Sequence, residues 1–211
     1  MDMIVSVVTI LAAIAVGAVS PGPSFVFVAR TAMATSRRDG LAAALGMGLG
    51  AVFFCILVLF GLQAILATAP WLFVTLKLCG GVYLGYLAFR IWRGAKEPLD
   101  IPAEGPRRSR AVWKSGALGL GTQISNPKTA VVYGGVFAAL LPQESPRWVL
   151  LALPPAIFLI EAGWYALVAL LLSSSSPRAA YLRAKTAIDR TAAGILGFLG
   201  VKLLSNTLEN P

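Results

Sequence analysis

Ser20-Pro21-Gly22-Pro23 falls in the middle of an apolar stretch running from Ile4 to Met33, and Ser125-Asn126-Pro127-Lys128 falls inside another from Ser115 to Leu141. Proline lacks a backbone N–H and crowds the carbonyl four residues earlier, so each motif is expected to break the helix that contains it. Inside hydrocarbon such a break persists only where protein or a wet cavity satisfies the freed polar groups. Corresponding breaks in the two halves of an apolar chain are the sequence signature of a midplane site built from discontinuous membrane helices.

The rest of the chain fits a membrane setting. Its 211 residues are 57% hydrophobic and 13% charged, with a mean hydropathy of +0.78, far too apolar for an ordinary soluble domain. Six stretches are each long enough for the roughly 20 residues that a bilayer core requires: Ile4 to Met33, Leu41 to Leu66, Trp71 to Trp92, Ser115 to Leu141, Val149 to Ser173 and Ile188 to Leu204. The sequence therefore predicts an all-α integral membrane protein of one domain, residues 1–211.

A net charge of +9 raises nucleic acid as a partner, but the positions of the basic residues argue against it. They gather in three clusters: Arg30, Arg37 and Arg38; Arg90 to Lys114; and Arg178, Arg183, Lys185 and Arg190. The alternate connections hold only Arg147. By the positive-inside rule the three basic segments are cytoplasmic, with both termini outside and lipid around the spans. The first twenty residues have no basic n-region, carry Asp2, and continue as apolar sequence beyond the prolines, so we read them as a retained span rather than a signal peptide.

The segment around 94–112 carries Pro98, Pro102, Gly105 and Pro106 among charges and reads as a cytoplasmic linker. It separates two three-span sets, about 1–93 and 113–211. Tyr83-Leu84-Gly85-Tyr86-Leu87-Ala88-Phe89-Arg90 parallels Ile195-Leu196-Gly197-Phe198-Leu199-Gly200-Val201-Lys202 in glycine position, bulk and terminal cation, while the Pro23 break parallels the Pro127 break. Because three spans is an odd number, the second set enters the membrane upside down relative to the first. The expected fold is two inverted three-helix repeats, with the first and fourth spans broken at their proline motifs.

Asn126 is a favourable N-cap and Pro127 suits the first position of a new helix; Ser20 or Gly22 followed by Pro21 or Pro23 has the same grammar. Two half-helices then start near the bilayer centre, each presenting unpaired N–H groups and about half a positive charge, a setting for a carboxylate. The carbonyls of Gly17, Val19 and Gln123, four residues before prolines, are expected to lose their usual donors and to suit an ammonium. Lys128 and Glu161 lie deep in their spans, where a charge costs about 2.5–3.5 kcal/mol on insertion scales, so both are read as functional. The candidate substrate-binding set is Pro21, Gly22, Pro23, Gln123, Asn126, Pro127, Lys128 and Glu161. Glu161 and Asp39 are candidates for ion coupling, although Asp39 beside Arg38 and Asp189 beside Arg190 also suit capping at cytoplasmic helix starts.

Other features are structural on this reading. Cys55 and Cys79 are expected to be buried thiols, and the chain has no histidine. Glycines at Gly46 to Gly50, at Gly81 to Gly85 and at Gly194, Gly197 and Gly200 suit close helix packing. Trp71, Trp113 and Trp148 sit where interfacial anchors belong, and Lys77 is placed to snorkel. No nucleotide loop, metal cluster or nucleophilic triad is apparent, so neither an enzyme nor a cofactor is expected.

These motifs, in this order, make the chain similar to the LysE/RhtB family of bacterial amino-acid exporters. The resemblance is carried by Ser20-Pro21-Gly22-Pro23, Arg38-Asp39-Gly40 leading into Ala44-Leu45-Gly46, Tyr83-Leu84, Asn126-Pro127-Lys128, Leu141-Pro142-Gln143, Trp164-Tyr165, and Asp189-Arg190 followed by Gly194. It implies a six-span permease of the bacterial inner membrane that expels amino acids or close derivatives, driven by the proton motive force. Val131 and Val132 stand where aromatics are frequent in that family, and Glu161 stands where aspartate is more usual; both bear on which substrate fits. The rival readings are an exporter of another small ion or metabolite and a non-transporting membrane subunit; a homo-oligomer is left open.

Overall fold

The structure, a computed structural model, describes residues 3–68, 70–98, 111–141, 145–172 and 175–209. Among them are eight helices and no strand: α1 Met3–Val19, α2 Pro23–Ala34, α3 Arg37–Thr68, α4 Pro70–Gly94, α5 Val112–Ile124, α6 Pro127–Leu140, α7 Arg147–Leu172 and α8 Ser175–Glu209. The core of the expected linker, its basic residues Arg107, Arg108 and Arg110, and the Pro142-Gln143 pair lie outside the described residues.

Both proline motifs end one helix and begin the next, as their sequence grammar predicts. The α1 and α2 axes differ by 56°, and Pro23 opens α2 behind Gly22. Pro127 opens α6 behind Asn126. Helices α3, α4, α7 and α8 are each long and apolar enough to cross a membrane, and the bent pair α1–α2 meets the same measure when its two helices are counted together. At 13 and 14 residues, α5 and α6 are each too short to cross alone.

The last helix departs from expectation. It begins at Ser175 rather than near Ile188, and its 35 residues make a rod about 50 Å long. Lys185 and Asp189 therefore sit within a helix rather than in a loop or at a helix start. Four residues apart, they share a face and are both buried, with Lys185 Nζ 2.9 Å from Asp189 Oδ2. Pro154-Pro155, by contrast with the two break motifs, lies inside α7 without ending it. Leu153 offers no cap there, so the prolines do not seed a new helix as Pro23 and Pro127 do.

Small residues set how closely the helices approach. A Cβ on Gly46 would come within 2.1 Å of the Gly116 carbonyl oxygen, and one on Gly119 within 2.4 Å of the Ala43 oxygen, so α3 and α5 meet backbone to backbone. Helices α4 and α8 approach in the same way at Gly81 and Gly200. Gly85 and Gly194, expected to pack likewise, face open space. Leu84, Leu87, Leu196 and Leu199 join Tyr133, Phe137 and Ile157 in the larger core, and a smaller core gathers Phe25, Val28, Met47 and Tyr165.

Cys55 is buried as expected, but Cys79 is exposed. It lies on the rim of an apolar groove lined by Leu57, Leu76, Gly80 and Gly134, on a face of α4 that other helices leave uncovered. Trp71, Trp113 and Trp148 are exposed within the first turns of α4, α5 and α7, where interfacial anchors belong.

Candidate functional site

The two breaks meet, and polar side chains join them. Asn126 caps α6 by accepting the Lys128 backbone N–H on Oδ1 at 3.0 Å, and its Nδ2 reaches across to Ser24 Oγ in the first turn of α2, 2.8 Å away. The Ser24 hydroxyl donates to Gln123 Oε1 at 2.6 Å, in the last turn of α5. Gln123 Nε2 donates in turn to Glu161 Oε2 on α7 at 3.3 Å, and the Tyr133 hydroxyl of α6 donates to Glu161 Oε1 at 3.1 Å. Ser24, Gln123, Asn126, Tyr133 and Glu161 are all buried. Desolvated polar groups are costly unless hydrogen-bonded, and here each partner satisfies the next.

This network borders a small cavity of about 20 Å³, room for about one water. Lys128, Glu161, Tyr133 and Tyr165 line it, with Gly22 and Asn126 from the breaks. Lys128 and Glu161 thus face one space, but they do not form a salt bridge. The Lys128 ammonium donates instead to the Ser20 carbonyl at 2.6 Å. That carbonyl lies in the first break, where the chain has no helical donor for it.

Beyond the cavity is a vestibule of about 340 Å³, lined by Pro21, Pro23, Arg90, Pro127, Lys185 and Asp189. Gly22, Asn126 and Lys128 line both spaces and form the partition between them. The Lys185–Asp189 pair ties this end together: Asp189 Oδ1 accepts the Ser20 hydroxyl at 3.2 Å, while Lys185 Nζ donates to the carbonyls of Gly94 and Ala95 just past α4.

Of the eight residues that the sequence proposed for binding, Gly22, Asn126, Lys128 and Glu161 line the cavity. Pro21, Pro23 and Pro127 line the vestibule. Gln123 stands behind Glu161 and positions it. Asp39 lies elsewhere: it is buried at the start of α3, where it accepts hydroxyls from Ser36 and, at 2.8 Å, from Ser115 of α5. Of the three carbonyls expected to be free, Val19's accepts the Tyr181 hydroxyl at 3.4 Å and Gln123's accepts the Asn126 N–H at 3.2 Å.

Sequence reasoning gave no place in the site to Ser20, Ser24, Tyr133, Tyr165 or the Lys185–Asp189 pair. Two signals were available. Thr129 and Tyr133 follow Pro127 at helical spacing on one face, and Lys185 and Asp189 have the i,i+4 spacing of a pair within one helix.

The sequence model described as LysE type translocator matches residues 15–207. The chain is 32% identical over 193 residues to the threonine efflux protein of Salmonella typhi, covering 90% of this chain and 92% of that one. It is 30% identical to the threonine efflux protein of Escherichia coli (strain K12), again over 90% and 92% of the two chains. To the leucine efflux protein of Enterobacter sp. (strain 638) it is 25% identical, over 86% of this chain and 84% of that one. No solved structure matches the chain.

Proposed function

This chain belongs to the LysE type translocator family, and from that membership we propose that it is a secondary active efflux permease for an amino acid or close derivative, coupled to protons. The observation that carries this reading is the meeting of two proline-broken helices at a small cavity lined by both Lys128 and Glu161. On this reading α5 and α6 together form the sixth crossing, and the chain is one domain of two inverted three-helix repeats. The burial of Leu84 and Leu196, and of Leu87 and Leu199, at matching places in the paralleled stretches supports that symmetry.

Lys128 and the start of α6 hold the substrate carboxylate; the Ser20 carbonyl and Glu161 receive the amine. The cavity is too small for an amino acid as it stands, so the α1–α2 and α5–α6 breaks must part on one side to load and on the other to release. Glu161 takes a proton from outside as the amine leaves. Proton and substrate then alternate on one carboxylate, and each shifts the two-state equilibrium through its differential affinity. Asp39 bridges α3 and α5 and helps to transmit that shift. The protein resides in the bacterial inner membrane with both termini outside.

Counterflow in proteoliposomes with a panel of radiolabelled amino acids that includes threonine and leucine tests this reading. We expect accumulation of at least one amino acid, enhanced by an imposed proton gradient. Protein that is folded and inserted yet exchanges none of them would reject the assignment.

A further inference from the structure

The cavity and the vestibule differ in size and in charge. The inner cavity has room for about one water, while the vestibule, at about 340 Å³, is large enough to admit a small amino acid without movement of the helices. Three cations and one carboxylate line the vestibule: Arg90, Lys128, Lys185 and Asp189. Lys185 and Asp189 neutralise one another at 2.9 Å, and Lys185 spends further donors on the carbonyls of Gly94 and Ala95. Among the described residues Arg90 forms no salt bridge with a carboxylate; its guanidinium lies 6.0 Å from the centre of the Tyr86 ring. Lys128 is engaged by one neutral carbonyl. Asp189 and Glu161 offset the Lys128 charge in part through space, yet three cations line the vestibule against one carboxylate, and the start of α6 adds to that excess at Pro127.

We propose that the vestibule is a separate loading site that reads a substrate's carboxylate and not its amine, with Arg90 as the first receptor and Lys128 as the gate to the inner cavity. Arg90 presents a planar fork suited to a carboxylate, and Tyr83, Tyr86 and Leu87 offer apolar surface to a short side chain. Asp189 is a poor site for the amine, because Lys185 at 2.9 Å already neutralises its charge and Ser20 donates to its other oxygen. The amine is read only after Lys128 leaves the Ser20 carbonyl and admits the molecule to the space that holds Glu161. This inference rests on the amino-acid export reading for its ligand and places loading at the end rich in Arg and Lys, the cytoplasmic end by the charge rule.

Calorimetry on the full-length protein in detergent tests it with three probes: threonine, the amine-free acid 2,3-dihydroxybutyrate, and the decarboxylated amine 1-aminopropan-2-ol. We expect threonine and the acid to bind within about threefold of one another and the amine not to bind. Arg90→Gln should weaken both acids about tenfold or more, the loss of one charge-assisted hydrogen-bonded contact, and Arg90→Lys should recover most of that loss. Arg90 is exposed, so neither variant should impair folding. Amine binding equal to acid binding, no binding of either acid, or acid binding indifferent to Arg90→Gln would overturn the loading site. Export measured in parallel separates the two claims. Transport whose half-saturation from the basic side is unchanged by Arg90→Gln removes the loading site and keeps the permease. Binding of the acid that depends on Arg90, without transport of any amino acid, removes the permease and keeps the vestibule as a carboxylate receptor.

Discussion

Glu161 is 3% exposed, and each of its carboxylate oxygens accepts one side-chain donor, from Tyr133 and Gln123. Enclosing a charge costs several kcal/mol unless its surroundings compensate, and on the proposed reading Glu161, on the same cavity as Lys128, is the group that exchanges the proton. Glu161→Gln retains shape and hydrogen-bonding capacity but cannot exchange a proton. Export by this variant should lose its response to a pH gradient, with the maximal rate lowered about tenfold or more, in line with losing a positioned proton-transfer group; an unchanged pH dependence in proteoliposomes would remove Glu161 from coupling. Lys128 and Glu161 were legible in sequence because a charge deep in an apolar span is expensive and therefore conspicuous. Ser24 and Tyr133 were not, since hydroxyls are common in membrane helices and only the fold shows what they touch.

Among the helices, the two breaks and the continuity of α7 teach one lesson. Proline ended a helix where a capping residue stood directly before it, Gly22 or Asn126, and did not where Leu153 preceded Pro154-Pro155. The glycines divide just as sharply, though nothing in their local sequence separates them. Gly46→Ala would drive a Cβ to 2.1 Å from the Gly116 oxygen, so α3 and α5 must separate, with a predicted loss of about 2–4 kcal/mol or failure to fold. Gly85→Ala meets nothing within 4 Å and should leave stability unchanged or raise it by up to about 1 kcal/mol. Thermal melts in detergent, followed by size-exclusion chromatography, compare the pair; equal effects would contradict the packing described. Lys185 and Asp189 were misread at this scale because a charged sequence resembles a loop until a second helix covers it. What covers it here is the end of α4, whose carbonyls past the last turn need donors.

The whole molecule has a direction. The charge rule predicts Arg37, Arg90, Lys114 and Arg183 at one end, and the first residues of α1 and the last of α8 at the other. With Cys55 and Cys79 replaced by alanine, Leu208→Cys should react with a membrane-impermeant maleimide on intact spheroplasts, and Lys114→Cys only after permeabilisation. The reverse pattern would invert the carrier and place the vestibule outside. The apolar stretches, the two breaks and the deep placing of Lys128 and Glu161 were set by sequence alone, because hydropathy and proline chemistry act over a few neighbouring residues and need no partner. Tertiary structure alone decided that Ser24, Gln123, Asn126 and Glu161 form one hydrogen-bonded chain, that Lys128 rests on the Ser20 carbonyl, and that Asp189 belongs to a vestibule rather than a cap. Those contacts join residues about 100 or more positions apart, or on different helices, and are fixed by which faces the small residues allow to approach; no local pattern encodes them.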